Sequence, residues 1–171
     1  MLDRLCGPLC DSLLTPDAGD SQRVLEELEW ANLFLMPLDD ERVWYRYHHL
    51  FADALRARLA REAGADAAAS LHRQASAWFG RQGLLPEAIG HALAGEAAED
   101  AATWIEALTP SIFATMSIHQ TLAAWLAALP EPVIRARPLL CLAQAWLHIH
   151  RVELEPATAW LDAAARAPRG R

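Results

Sequence analysis

The sequence predicts a mainly α-helical protein in which one β-hairpin near the N-terminus is followed by paired helices. Of the 171 residues, 35 are Ala, 27 are Leu and 15 are Arg, all strong helix formers, whereas only four are Val. Apolar residues recur at helical spacing along most of the chain, and a single short stretch is aromatic and roughly alternating, as strands are. An all-β fold is therefore not expected.

The N-terminal part predicts two helices. Residues 2–14 carry Leu at helical spacing, and a Gly-Pro pair interrupts this pattern because proline removes a backbone donor. Residues 15–20 have loop composition. Ser21 is expected to cap the second helix, which ends near Asn32.

The following stretch predicts a β-hairpin. Residues 33–38 are a short apolar run, residues 39–42 are a polar turn, and residues 43–48 are aromatic and roughly alternating. Pro37 cannot donate to a ladder, so its strand is expected at an edge.

A third helix is predicted over residues 49–62, where the helical period returns. Its apolar face is expected to comprise Leu50, Phe51, Ala54, Leu55 and Leu59. Helix, hairpin and helix together give the outline of a small winged-helix unit.

From residue 63 onward the pattern predicts short paired helices. Ser76 and Ala88 are separated by the same interval as Ala145 and Ala157, and small residues at such positions allow close helix pairing, as in tetratricopeptide (TPR) hairpins. The fold class is thus mainly α, with a winged-helix unit followed by TPR-like helical hairpins.

Further helices are predicted between these two pairs. They lie near residues 97–108, 111–128 and 131–136. Breaks are expected at Pro110, Pro130 and Pro132, because an interior proline removes a helix hydrogen bond and clashes with the preceding turn.

Several kinds of chemistry are disfavoured by the residues. The chain contains no lysine, which excludes a phosphate-binding loop ending in Gly-Lys-Ser/Thr, so it is not expected to be an enzyme by itself. Cys6 and Cys10 lack companions for a metal site and are expected to be packing residues. His148 and His150 fall on different helix faces, which does not favour a shared metal site.

Charge and hydropathy restrict the partners and the location. The net charge is −7, and residues 1–62 hold 12 acids against 7 arginines, so direct DNA contact is not expected. No apolar run approaches the ~20 residues of a membrane helix, and no membrane partner is expected. Three cysteines and the lack of a signal-peptide pattern favour a cytoplasmic location.

One motif suggests binding rather than packing alone. His48 follows the hairpin and precedes a helix N-terminus, where a histidine can donate to a phosphate beside the positive end of the helix dipole. On the residues alone, a packing role for this motif stays open and is favoured.

The sequence resembles a known family at this motif and on both sides of it. Residues 25–35 (LEELEWANLFL) and 45–56 (YRYHHLFADALR), together with residues 125–130 (WLAALP), are similar to the MalT-like subgroup of large LuxR-type transcriptional regulators. These regulators are signal-transducing ATPases of the STAND class. The resemblance extends over nearly the whole chain.

The resemblance implies a role in a larger switch. Residues 1–62 would be the end of the nucleotide-binding module plus the winged helix, and residues 63–171 the start of the helical-repeat sensor domain. A winged-helix histidine of related proteins contacts the β-phosphate of ADP. His48 falls on that histidine and, with Arg46 and His49, forms the implied nucleotide-binding set, although His49 replaces an acidic residue of the motif.

The resulting interpretation is a non-catalytic fragment of such a regulator, which couples nucleotide state to inducer sensing and autoinhibition. ADP or ATP is implied for the full-length parent only. The expected partners are the parent's nucleotide-binding domain and a small-molecule inducer or regulatory protein. Two alternatives stay open: a stand-alone TPR-like adaptor for protein–protein interaction and, more weakly, a small winged-helix DNA-binding protein.

Overall fold

The chain forms two units, each with its own core. A computed structural model describes residues 2–14, 20–115 and 119–167. The two units are Met1–Trp78 and Phe79–Arg171. None of the helices in the described ranges is long and apolar enough to cross a membrane.

The first unit begins with a non-helical segment that contains a single β-bridge residue, Leu5. Helix α1 spans Gly7–Leu13 and α2 spans Ser21–Trp30. The predicted helical structure before α1 is wrong, because Leu5 pairs with Tyr45 in an antiparallel bridge. Pro8 lies in the first turn of α1, where its missing amide would have no intrahelical partner.

The start of α2 is capped by Asp20, and the prediction that Ser21 caps it is wrong. The Asp20 carboxylate accepts hydrogen bonds from the amides of Gln22 (3.1 Å) and Arg23 (3.3 Å). A charged carboxylate also interacts favourably with the positive end of the helix dipole, which favours Asp20 over the neighbouring hydroxyl. Ser21 is instead the first helical residue and is buried.

The predicted β-hairpin is present. Strand β1 (Leu35–Pro37) and strand β2 (Tyr45–Tyr47) are antiparallel, with Met36 opposite Arg46. Pro37 lies in the outer strand β1, as expected, because Leu5 occupies the other side of β2. The hairpin packs on a small core, whose buried members are Leu5, Leu25, Leu35 and Tyr45.

The hairpin turn is held by Asp39. Its two carboxylate oxygens accept hydrogen bonds from the amides of Val43 (2.8 Å) and Trp44 (3.1 Å). The side-chain amide of Gln22 donates to the Arg42 carbonyl (2.8 Å) and so attaches the turn to α2. The polar turn that the sequence predicts is therefore fixed by side-chain acceptors and donors as well as by strand pairing.

Helix α3 spans His49–Arg81 and contains a break at Gly64. Gly64 has φ 76°, a left-handed conformation that glycine adopts without a steric penalty. The expectation that Leu50 and Ala54 lie on a buried face is wrong, since both are exposed and Ala52 is buried instead. The domain limits at residues 62 and 63 refer to domains of a longer parent and stay a prediction.

The second unit is entirely helical in its described residues and confirms the predicted mainly α class. Helices α4 and α5 pack together, as do α8 and α9. Ala88, Ala145 and Ala157 are buried, as their predicted role in close helix pairing requires. The helices are α4 (Leu85–Ala94), α5 (Ala98–Thr115), α6 (His119–Ala128), α7 (Glu131–Arg135), α8 (Pro138–His150) and α9 (Leu154–Arg166).

The break predicted at Pro110 is absent, because α5 continues through this residue. The residues on either side, Ile105, Thr109 and Ile112, are fully or almost fully buried. Burying this apolar face stabilises one continuous helix by more than the proline disfavours it, since each buried aliphatic side chain contributes ~1.5–3 kcal/mol.

The role of Asp39 can be tested by removing its side-chain carboxylate. Asp39→Ala removes both turn acceptors and leaves two amides without their partners, so we expect the free energy of unfolding to fall by about 1–3 kcal/mol. Asp40→Ala is the matched control, because Asp40 is the exposed neighbour. Urea unfolding of the three chains measures the difference. Equal losses for the two variants would contradict the assigned role of Asp39.

The close approach of α3 to Trp104 gives a second test. A Cβ atom at Gly80 would lie 2.4 Å from the Trp104 ring, whereas a Cβ at Gly90 in α4 would meet nothing within 4 Å. Gly80→Ala is expected to destabilise the fold by about 1–3 kcal/mol through overpacking. Gly90→Ala is expected to stabilise it by about 0.5–1 kcal/mol, because alanine favours helices.

Thermal unfolding of both glycine variants provides the measurement. Helix propensity alone predicts an increase in the melting temperature for each variant. A lower melting temperature for Gly80→Ala and a higher one for Gly90→Ala would therefore attribute the difference to the contact with Trp104. A higher melting temperature for Gly80→Ala would refute that contact.

Candidate functional site

A concavity in the first unit gathers the predicted site residues. Its volume is about 490 Å³. Arg46, His48 and His49, the three residues proposed from the sequence, all line it. Among the residues that the structure describes, the lining comprises Leu2, Asp3, Met36, Arg46, Tyr47, His48, His49, Ala52 and Arg56.

Strand β2 positions the first of these side chains. Tyr45 is completely buried, and its backbone exchanges two hydrogen bonds of 2.8 Å with Leu5. Because side chains alternate along a strand, the buried Tyr45 directs Arg46 to the opposite face, together with its cross-strand partner Met36. Arg46 is exposed, so its guanidinium is accessible from solvent.

The backbone of His48 is fixed on both sides. Its amide donates to the Phe34 carbonyl (2.7 Å), and its own carbonyl accepts from the amides of Phe51 (3.0 Å) and Ala52 (2.9 Å). His48 therefore occupies the N-cap position of α3. Phe34 has φ 57°, a costly conformation for a bulky residue, and its ring stacks on that of Phe51 at 5.2 Å.

Donor groups around the two histidines lack partners in the described part of the chain. The rings of His48 and His49 lie 4.3 Å apart. Neither ring, nor the Arg46 guanidinium, hydrogen-bonds to any residue described in the structure. The first amides of α3, those of His49 and Leu50, likewise have no acceptor among these residues. A helix N-terminus with unpaired amides and an adjacent guanidinium favours anions.

Arg56 is a member of this site that sequence reasoning missed. From the sequence alone, Arg56 is expected with Arg58 and Arg61 on a solvated helix face, but its side chain lines the concavity one helical turn beyond Ala52. Its guanidinium forms ion pairs with Asp53 (2.7 Å) and Asp3 (3.1 Å). The helical spacing of Arg56 and Ala52 could have indicated this position, but the approach of Asp3 depends on the tertiary fold.

Two further groups near the concavity, the Tyr47 phenol and the Cys10 thiol, stay neutral at ordinary pH. Burial raises the pKa of Tyr47, so its phenol keeps its proton. Burial and the neighbouring Cys6 raise the pKa of Cys10 to about 11, which makes this thiol a poor nucleophile. Within the residues that the structure describes, no group of three His, Cys, Asp or Glu side chains is arranged to hold a metal ion. The unpaired donors of His48, His49 and the α3 N-terminus, together with the Arg46 guanidinium, make the arrangement suited to holding an anion.

The chain is similar to known proteins over most of its length. Residues 1–67 match the family model described as the MalT winged helix domain. Over 160 residues the chain is 38% identical to the serine/threonine-protein kinase PknK of Mycobacterium tuberculosis, a match that covers 94% of the chain and 14% of the relative. No solved structure matches the chain.

A second relative is a transcriptional regulator by name. The chain is 37% identical over 141 residues to the HTH-type transcriptional regulator MalT of Klebsiella pneumoniae, covering 80% of the chain and 15% of the relative. The chain thus spans about one seventh of the length of the curated relatives it matches.

Proposed function

We propose that this chain, which is MalT-like and contains the MalT winged helix domain in residues 1–67, is a non-catalytic regulatory segment that couples nucleotide state to inducer sensing. The single observation that carries the proposal is the concavity shared by Arg46, His48 and His49. These residues adjoin in sequence, but the hairpin and the start of α3 must both form before their side chains line one surface.

The residues present fit a nucleotide phosphate. ADP or ATP of the parent protein supplies phosphate oxygens, which need hydrogen-bond donors and positive charge. Arg46 provides a permanent cation, and His48 provides a ring donor from a backbone held at both its amide and its carbonyl. The unpaired amides at the start of α3 add further donors. His49, in the place of an acidic residue, adds another donor to the same wall.

Autoinhibition requires that the nucleotide distinguishes two states of the parent. In the proposed resting state, His48 and Arg46 bind the phosphate of ADP, so the winged helix stays docked on the nucleotide-binding domain. Inducer and ATP favour the undocked state, in which these residues no longer contact the nucleotide. A tenfold difference in ADP affinity between the states corresponds to about 1.4 kcal/mol of bias. The inducer is a small molecule or a regulatory protein that contacts the helical-repeat part.

The charges of the hairpin agree with an interdomain role and disfavour direct DNA contact. Asp40 and Glu41 are exposed at its turn, and Arg42 is paired with Glu29 at 3.4 Å. An acidic turn opposes approach to DNA phosphates, because binding there depends on exposed cations. We therefore assign no DNA contact to this winged helix.

A second candidate function is protein binding by a stand-alone helical-repeat adaptor. It is favoured by exposed apolar residues on the hairpin of α8 and α9, namely Ile149, Val152, Leu154 and Leu161. Exposed apolar clusters of this kind commonly mark protein contacts. The two functions differ in what they require. The regulatory role depends on His48 and a nucleotide, whereas the adaptor role needs neither.

The proposed function is tested with His48→Ala in the full-length parent. The backbone contacts of His48 survive the substitution, so the loss is confined to the ring and its donor. We expect ADP affinity to fall by about tenfold, as for loss of one hydrogen bond to a charged group, and basal transcription to rise. Fluorescence titration with labelled ADP and a reporter gene provide the measurements.

His150→Ala is the control for this experiment, because it removes an exposed histidine from the second unit. It should change neither ADP affinity nor basal transcription. If His48→Ala leaves both quantities at the parent's values, the nucleotide role is refuted and the adaptor function is favoured.

A further inference from the structure

The ion pair between Arg56 and Asp3 lies within the candidate phosphate site. Both residues line the same concavity as His48 and His49. One terminal nitrogen of Arg56, Nη1, contacts Asp53 of the same helix at 2.7 Å. The other, Nη2, contacts Asp3 at 3.1 Å, and Asp3 comes from the non-helical segment before α1.

The two contacts of Arg56 differ in how they are held. The pair with Asp53 is local, because the residues are three positions apart on α3 and remain adjacent whenever the helix is formed. The pair with Asp3 joins residues far apart in sequence, and the Asp3 side chain is 95% exposed. An exposed ion pair of this kind is weak, since water solvates both charges well.

A carboxylate and a phosphate present the same feature to a guanidinium. Each offers oxygens that accept from the planar N–H donors of arginine, and the phosphate carries the larger charge. Asp3 is also the only acidic residue among the nine that line the concavity. Its carboxylate therefore occupies the place on Arg56 that a bound phosphate would take.

We propose that Arg56 is a phosphate-binding residue of this site and that Asp3 is its internal competitor, which a diphosphate group must displace. This inference rests on the proposed function and adds a regulatory element to it. Asp53 keeps Arg56 oriented toward the concavity while Nη2 exchanges between the Asp3 carboxylate and the phosphate. Asp3 lowers the affinity of the site and permits release of the nucleotide.

The experiment measures binding of inorganic pyrophosphate to the 171-residue chain at constant ionic strength, followed by the NMR amide shifts of His49 and Leu50. Arg56→Gln is expected to weaken binding by about tenfold through loss of a charge-assisted contact. Asp3→Asn is expected to strengthen binding by about threefold, because it removes the competing charge.

Arg58 and Glu62 provide the controls, because their substitutions remove the same charges as those of Arg56 and Asp3. These residues form an exposed ion pair on α3 (2.9 Å) and do not line the concavity. Arg58→Gln and Glu62→Gln should change pyrophosphate affinity by less than about twofold, since their charges act only at long range. Substituting ADP for pyrophosphate should preserve the order of the variants.

The outcomes separate this inference from the proposed function. The competitor mechanism is supported if Arg56→Gln binds pyrophosphate more weakly and Asp3→Asn binds it more tightly. Each change must exceed that of its control variant. If both variants match their controls while His48→Ala abolishes binding, the inference fails and the proposed function stands. If His48→Ala binds normally while the Arg56 and Asp3 effects hold, the histidine role fails instead. A chain that binds no pyrophosphate at millimolar concentration overturns the inference.

Discussion

The pairing of β2 with extended backbone on both of its sides is the interaction on which the candidate site depends. Tyr45 exchanges hydrogen bonds with Leu5 on one side and lies opposite Pro37 on the other. This arrangement brings three distant parts of the chain to one surface: the N-terminal segment with Asp3, the outer strand with Met36, and the hairpin exit with His48. Without the Leu5 bridge, Asp3 would not lie beside Arg56.

The first unit combines an acidic composition with a local cationic surface. Residues 1–62 carry net negative charge, yet Arg46, Arg56 and two histidines line one concavity whose described lining includes a single carboxylate. Several acidic residues elsewhere are paired or capping groups, as Glu29 is with Arg42 and Asp20 is with α2, while Asp40 and Glu41 are exposed at the hairpin turn. Such a distribution suits recognition of a small anion held between domains better than recognition of a long polyanion.

The sequence predicted the parts of the fold that depend on local spacing. The hairpin, the edge position of Pro37 and the helical character of the second unit follow from alternation, proline chemistry and small-residue spacing. The predictions were wrong where a competing neighbouring residue or tertiary packing determines the local structure. Asp20 replaces Ser21 as the cap because a carboxylate is the stronger acceptor, and Pro110 stays inside a helix whose apolar face is buried.

Two features of the site were beyond sequence reasoning for the same reason. Arg56 was expected on a solvated helix face and not in the site, because the hairpin that forms the other wall of the concavity is not encoded in the helical period. Its partner Asp3 belongs to a segment that was expected to be helical and is not. By contrast, Arg46, His48 and His49 could be named in advance, since a strand end followed at once by a helix start brings neighbouring side chains together.

The most direct measurement of the central claim is a crystal structure of the full-length parent with ADP bound. The account predicts a ring nitrogen of His48 within hydrogen-bond distance of a phosphate oxygen, with the Arg46 guanidinium on the same phosphate group. A structure in which ADP is bound and residues 46–49 face solvent, away from the nucleotide, would contradict it.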